Sequence, residues 1–341
     1  MTNNKGSGWR GIQAATRLDP FLIILIGTVA LASILPVQGK SAAAAGVVSY
    51  VAVMLLFFLH GAKLSRQAIF AGIRAWPIHV TVMLASFVLF PIFGLVLRYA
   101  TTGWLNPTIG AGLILLAIMP STVQSSIAFT SIARGNVPAA VCSASASSIL
   151  GVVVTPVLAA LLLSGTGAIS FDGIYHIALQ LLLPFIAGHL ARPLLVRFLD
   201  RHKSIVTKVD RSVILIVVYT AFSAAVVDGI WHRYSILDLL WTLTLCAILL
   251  VMALVSTTRL ARLLRFDKED EITLVFCGSK KSLVSGVPMA SAMFPPALVG
   301  PMVLPLMLFH QLQLMACAVL ARRYAQREQP PLFQPVAEPV R

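Results

Sequence analysis

Acidic residues are scarce: 12 Asp plus Glu stand among 341 residues, against 26 Lys plus Arg. Charged residues of both signs make up only 11% of the chain and hydrophobic ones 58%, whereas an ordinary soluble protein carries about 25% charge. A soluble globule of this composition would have to leave its surface almost uncharged. A cytoplasmic enzyme is therefore excluded, and so is a nucleic-acid partner, because the basic residues form short strips between apolar runs and not a patch or tail. Cysteine is limited to Cys142, Cys246, Cys277 and Cys317. All four lie in apolar segments without ligand spacing, so neither disulfides nor a metal site is expected. No nucleophile–base pair appears, and GSKKS at 278–282 is too short for a phosphate loop, so the chain reads as no enzyme and needs no cofactor.

What the chain has is apolar length. Segments at about 18–37, 43–63, 75–99, 106–133, 137–163, 174–198, 211–230, 235–257, 270–294 and 298–321 are each long enough to cross a bilayer. The expected fold is an all-α polytopic membrane protein of ten transmembrane helices, with the lipid bilayer as its main partner. With the N-terminus in the cytoplasm, 21 Lys and Arg fall on the cytoplasmic side, and only Lys40, Arg98 and Arg233 on the other. The cytoplasmic set includes Lys63, the 6–7 connection (Arg192, Arg197, Arg201, Lys203, Lys208 and Arg211) and the 8–9 connection. This positive-inside bias puts both termini in the cytoplasm. Together with short loops and no transit segment, it points to a bacterial inner membrane.

Ten spans divide into two fives, and an odd repeat re-enters the membrane in the opposite sense. The expected organisation is an N-terminal arm (1–17), a first repeat (18–163), an inverted second repeat (174–321) and a cytoplasmic tail (322–341). The fourth member of each half is interrupted. In the fourth span Pro120 removes a helical hydrogen bond, and Ser121, Thr122, Gln124, Ser125 and Ser126 follow. In the ninth, Gly278, Ser279, Lys280, Lys281, Ser282 and Pro288 break an apolar run. Broken backbone must line a cavity or pack on protein, and paired discontinuous helices point to a midplane substrate site. The plainer alternative is two kinks with hydroxyls bonded back to their own helices.

Two adjacent lysines within a span are costly. They face a water-filled cavity, bind an anionic substrate or sit in the dipole field of a helix break; otherwise the segment boundary is misplaced and they lie at a membrane surface. The fifth span adds Ser143, Ser145, Ser147 and Ser148, read either as close-packing hydroxyls or as ligands. The histidines, His60 and His310 among them, read as packed or interfacial.

The run from Pro120 to Pro156, with ARGNVP at 133–138 and Thr155-Pro156, resembles the fourth and fifth helices of the bile acid:sodium symporter superfamily. FCGSKKSLVSGVP at 276–288 resembles the ninth-helix signature of its branch of bacterial transporters and the vertebrate solute carrier family 10 member 7 type. That resemblance implies a panel domain of helices 1, 2, 6 and 7 and a core domain of helices 3–5 and 8–10. Helices 4 and 9 would be broken and crossing near the substrate. Gln124, Ser125 and Ser126 match the fourth-helix ion or substrate region, and Ser143 to Ser147 the fifth-helix hydroxyl region. Sodium-coupled members carry a ninth-helix Glu central to cation binding, where this chain has Lys280 and Lys281 and no carboxylate from Cys277 to Pro288. This argues against sodium coupling and leaves Na+ or H+ open as the coupling ion. The expected function is secondary active, symporter-like transport of a small organic anion. The alternative is a non-transporting, regulatory protein of the same fold in ion homeostasis. Monomer and homodimer both remain open.

Overall fold

The computed structural model describes residues 20–63, 76–163 and 171–327, and every regular element among them is helical. In order these are α1 (Pro20–Ile34), α2 (Gly39–Lys63), α3 (Trp76–Ala100), α4 (Pro107–Ile118), α5 (Gln124–Ile132), α6 (Val137–Leu163) and α7 (Phe171–Arg201). They continue with α8 (Lys203–Val227), the one-turn α9 (Ile230–Arg233), α10 (Ile236–Leu263), α11 (Lys268–Gly278), α12 (Leu283–Met293) and α13 (Pro296–Ala325). Seven of them (α2, α3, α6, α7, α8, α10 and α13) are long and apolar enough to cross a membrane. The arm at 1–17 and the tail beyond 327 lie outside the described residues.

The core is apolar, as in a soluble protein, but so is much of the exterior. Ile34, Val47, Leu183, Leu190, Leu194, Leu240 and Val251 are exposed, while Ser126, Thr130, Ser143, Ser147, Thr155, Ser223, Lys280, Lys281 and Gln313 are fully buried. Water could not sustain so much exposed apolar surface on a monomer. Hydrocarbon can, provided that polar groups find partners inside the protein.

Helix α2 lies along α7, and α8 packs on α1, α2 and α13; α4 packs on α3 and α13, and α11 on α10, α5 and α6. Contact of α2 with α7 depends on two glycines. A Cβ on Gly61 would overlap the main-chain carbonyl of Phe185, and one on Gly188 that of Phe58. Backbones this close are the small-residue packing that replaces the hydrophobic driving force in lipid.

Helix ends are fixed by local chemistry. Asn106, Ser235, Asp267 and Ser282 each accept an amide hydrogen bond at a helix start. Helices α5 and α10 end in paired 6→1 and 5→2 hydrogen bonds around Arg134 (φ 57) and Arg265 (φ 56). Side-chain ties then gather three ends on one side. Asn136 Nδ2 donates to Asp270, the Asn136 amide to the Glu269 carbonyl, and Arg327 to Glu269 and to the Ala133 and Arg134 carbonyls.

One expectation needs correcting. The cations assigned to a 6–7 connection are not in a loop, because only His202 separates α7 from α8. No glycine or proline occurs between residues 194 and 228, so nothing stops either helix at the end of its apolar stretch. Lys208 and Arg211 therefore lie on α8.

Gly61→Val and Gly188→Val are each expected to lower stability by about 1–3 kcal/mol or more through overpacking. Gly46→Ala, in the same helix as Gly61 but with nothing within 4 Å of its added Cβ, should be neutral or slightly stabilising. Thermal unfolding in detergent checks the contrast.

Candidate functional site

Helix α4 stops because Pro120 has no amide hydrogen to continue it. Met119 takes the extended conformation favoured before proline (φ −67, ψ 150) and closes the last turn onto the Leu116 carbonyl. Five residues later α5 begins. Helix α11 likewise stops at Gly278, and Ser282 caps the start of α12 four residues on. Each interruption frees main-chain groups that would be prohibitively costly in hydrocarbon.

The two interruptions satisfy each other. The Ser282 amide donates to the Pro120 carbonyl at 2.9 Å. Ser121 Oγ donates to the Cys277 carbonyl at 2.6 Å and Ser126 Oγ to that of Phe276 at 2.9 Å. Further bonds come from within α11 and from neighbouring helices. Thr155 Oγ1 donates to the Ile118 carbonyl, Ser147 Oγ accepts from the Ser121 amide, and Ser279 Oγ donates back to the Val275 carbonyl. The Gln313 side-chain amide grips Lys281 by both main-chain groups, accepting from its N–H and donating to its C=O at 2.9 Å each. Gly151 gives Pro120 room, since a Cβ there would fall 2.6 Å from the Pro120 Cβ.

Both lysines point into protein. Lys281 Nζ donates to the carbonyls of Ser86 at 2.7 Å and Met119 at 2.8 Å, with the Phe90 ring 4.2 Å away. Lys280 Nζ lies 4.1 Å over the Phe129 ring. Both are fully buried and neither lines the adjoining cavity, so the structure gives them no contact with a water-filled site or an anion in it.

That cavity, of about 300 Å³, opens where the interruptions face α2, α7 and α8. Thr122, Gln124 and Ser125 at the start of α5, and Ser282 and Ser285 at the start of α12, form one wall; Ser145 and Ser148 of α6 adjoin it. Opposite stand His60 and Lys63 of α2 and Asp210 and Arg211 of α8, with His310 of α13 beside them. Lys63 is ion-paired to Asp210, whose second oxygen is buried without a hydrogen-bond partner among the described residues. Arg211 is exposed, stacks on Phe21 at 5.3 Å and has no ion-pair partner among the described residues. Two helix N-termini, with their partial positive charge, and two cations thus converge on one concave space.

Of the residues singled out from the sequence, Thr122, Gln124, Ser125, Ser145, Ser148 and Ser282 line this cavity. Ser126, Ser147 and Ser279 instead hold the interruptions, and Ser143 Oγ is 2.7 Å from His79 Nδ1. Pro120 and Gly278 border the breaks, but Pro288 does not break a helix: α12 runs through it from Leu283 to Met293. Proline there forfeits the single bond to the Val284 carbonyl, and capping by Ser282 together with burial on α13 carries the helix past it. The sequence reading missed the cavity roles of His60, Lys63, Asp210, Arg211 and His310. Asp210-Arg211 carried a usable signal, a carboxylate beside a cation at the mouth of an apolar run with no helix breaker before it.

The sequence profile of the SBF-like CPA transporter family matches residues 19–326. The chain is 56% identical over 311 residues to an uncharacterized protein of Pseudomonas aeruginosa, covering 91% of this chain and 93% of that one. It is 51% identical over 311 residues to the Escherichia coli K12 protein named "Putative symporter YfeH" (91% and 94%). It is 28% identical over 324 residues to the zebrafish "Sodium/bile acid cotransporter 7" (91% and 94%).

Gln313→Leu strands both buried main-chain groups of Lys281. At about 1–3 kcal/mol for each unsatisfied group, it should lower the unfolding midpoint in detergent by more than any polar-to-apolar change at exposed Thr244.

Proposed function

Because the chain belongs to the SBF-like CPA transporter family, whose members are membrane transporters and not enzymes, we propose that it moves a small organic anion by secondary active transport with alternating access. The observation that carries this reading is the convergence of Lys63, Arg211 and the N-termini of α5 and α12 on a single cavity. The anion expectation first rested on the lysine pair; its support now comes from cations that the sequence reading counted as topology signals.

In this reading α4–α5 and α11–α12 each cross the membrane as one interrupted span, making ten. Helices α1–α6 and α7–α13 form the two inverted five-span repeats. Helices α1, α2, α7 and α8 act as the panel, and α3–α6 with α10–α13 as the core. Both termini are cytoplasmic and the cavity opens to the cytoplasm, in the inner membrane of a bacterium. The relatives' names, symporter and sodium/bile acid cotransporter, support symport of an organic solute.

The chemistry follows from the cavity wall. An entering carboxylate or sulfonate meets the exposed Arg211 guanidinium first and exchanges with Asp210 for the Lys63 ammonium. The amides at the starts of α5 and α12 and the hydroxyls of Thr122, Ser125 and Ser285 then receive its oxygens. Those residues ride on the core while Lys63 and Arg211 ride on the panel. A bound anion therefore ties the two together, and their relative movement carries it across.

Uptake into proteoliposomes tests this directly, with labelled mono- and dicarboxylates and taurocholate as probes. Arg211→Gln is expected to raise KM on the order of 10–100-fold with a smaller change in maximal rate, the loss of one charge-assisted contact made on binding. Lys63→Gln is paired with Asp210→Asn so that no buried carboxylate is stranded, and should act in the same direction. No flux of any probe by a well-folded sample would contradict transport and favour the non-transporting alternative.

A further inference from the structure

The relatives' name implies sodium, and the helix crossing is where freed carbonyl oxygens would hold it. The residues present there do not fit a free ion. The Met119 carbonyl, just past the C-terminal end of α4, points at Lys281 Nζ from 2.8 Å, and the Ser86 carbonyl from 2.7 Å, with Ser86 Oγ at 3.5 Å.

The Ser86 carbonyl is available for a sequence-local reason. Residues Ala85–Leu89 form a π-helical turn, and the Phe90 amide bonds to Ala85, five residues back. The same pattern would pair Ser86 with residue 91, which is proline and has no N–H. The Phe90 ring, 4.2 Å from the ammonium, supplies a negative π-face on another side. Among the described residues no carboxylate is hydrogen-bonded to Lys281. Its environment is main-chain oxygen, an aromatic face and the negative end of a helix dipole, which is how an intramembrane site holds a bare monovalent cation. Gln313 fixes the main chain of Lys281 on both sides, so the stem is aimed and not merely accommodated.

We propose that Lys281 is a resident cation: its ammonium takes the place of a free monovalent ion at the helix crossing, and the crossing binds no metal ion while Lys281 is present. Truncating the side chain then uncovers a cation site in the same cage. This inference concerns the cage alone and stands whatever solute the carrier moves.

The experiment reads thermal stability, so its failure is separable from failure of the transport reading. Unmodified protein, Lys281→Ala and Lys281→Met are purified in detergent and melted in choline, sodium, potassium or propylammonium chloride at equal ionic strength. Lys281→Ala should be less stable than the unmodified protein in choline. It should recover by about 5 °C, saturably, with at least one of the other three cations. Lys281→Met, whose apolar stem plugs the cage, should be destabilised and not recover. The unmodified protein should not distinguish the four salts. The proposal is overturned if Lys281→Ala is as stable as the unmodified protein in choline, if no cation restores it, or if Lys281→Met recovers equally. It is also overturned if Lys281→Ala accumulates in none of the salts while Lys281→Met does, since the side chain would then serve packing alone.

Discussion

Two helix interruptions buried inside this membrane protein must settle their main-chain hydrogen bonds without water, and the rest of the structure depends on how they do it. Each break supplies donors for the other: Ser282 and Ser121 link Pro120 to Cys277, and Ser126 reaches Phe276. The neighbours α6 and α13 add further bonds through Ser147, Thr155 and Gln313. Polar side chains that would weaken a soluble core are obligatory here, because in hydrocarbon the alternative is an unpaired amide or carbonyl costing several kcal/mol.

The same breaks create the site. Where a helix stops and restarts, its new N-terminus presents unpaired amides, and the starts of α5 and α12 open toward one cavity. Carbonyl ends point the other way, into the crossing, where serines and Lys281 cover them. Polarity is thus divided: positive helix ends and the Lys63 and Arg211 side chains face the cavity, and negative ends are neutralised internally. This division explains why a cavity next to two buried lysines draws its cations from α2 and α8 instead.

Much of this was legible in the sequence, and the part that was not has a clear cause. Pro120 and the Gly278–Ser282 run pointed to the breaks, because a proline or a glycine beside a polar run interrupts an apolar span, although two kinks would have left the same trace. Thr122, Gln124 and Ser125 follow the first break directly and could be placed by adjacency. The destination of Lys281 could not be read, since it depends on a carbonyl that Pro91 frees on a distant helix and on a ring at Phe90. Lys63 and Arg211 were hidden for another reason: a cation that orients a span and one that lines a cavity mouth have the same composition and the same place at the end of an apolar run. Only the continuation of α8 back to Lys203 separates them. Pro288 misled because a proline near a real break reads as part of it, while one lost hydrogen bond in a capped, buried helix is tolerated.

The central claim is that the cavity between the two helix groups is open to one side of the membrane at a time. The most direct measurement is labelling of a cysteine introduced at Ser148, in a background with the four buried native cysteines replaced. A membrane-impermeant maleimide is applied to oriented vesicles from each face. Labelling from the side of Lys63 and Arg211 in the resting protein, with a shift toward the opposite side when a transported anion is supplied, is the predicted result. Equal labelling from both sides regardless of anion would mean a continuous pore, and would contradict the account.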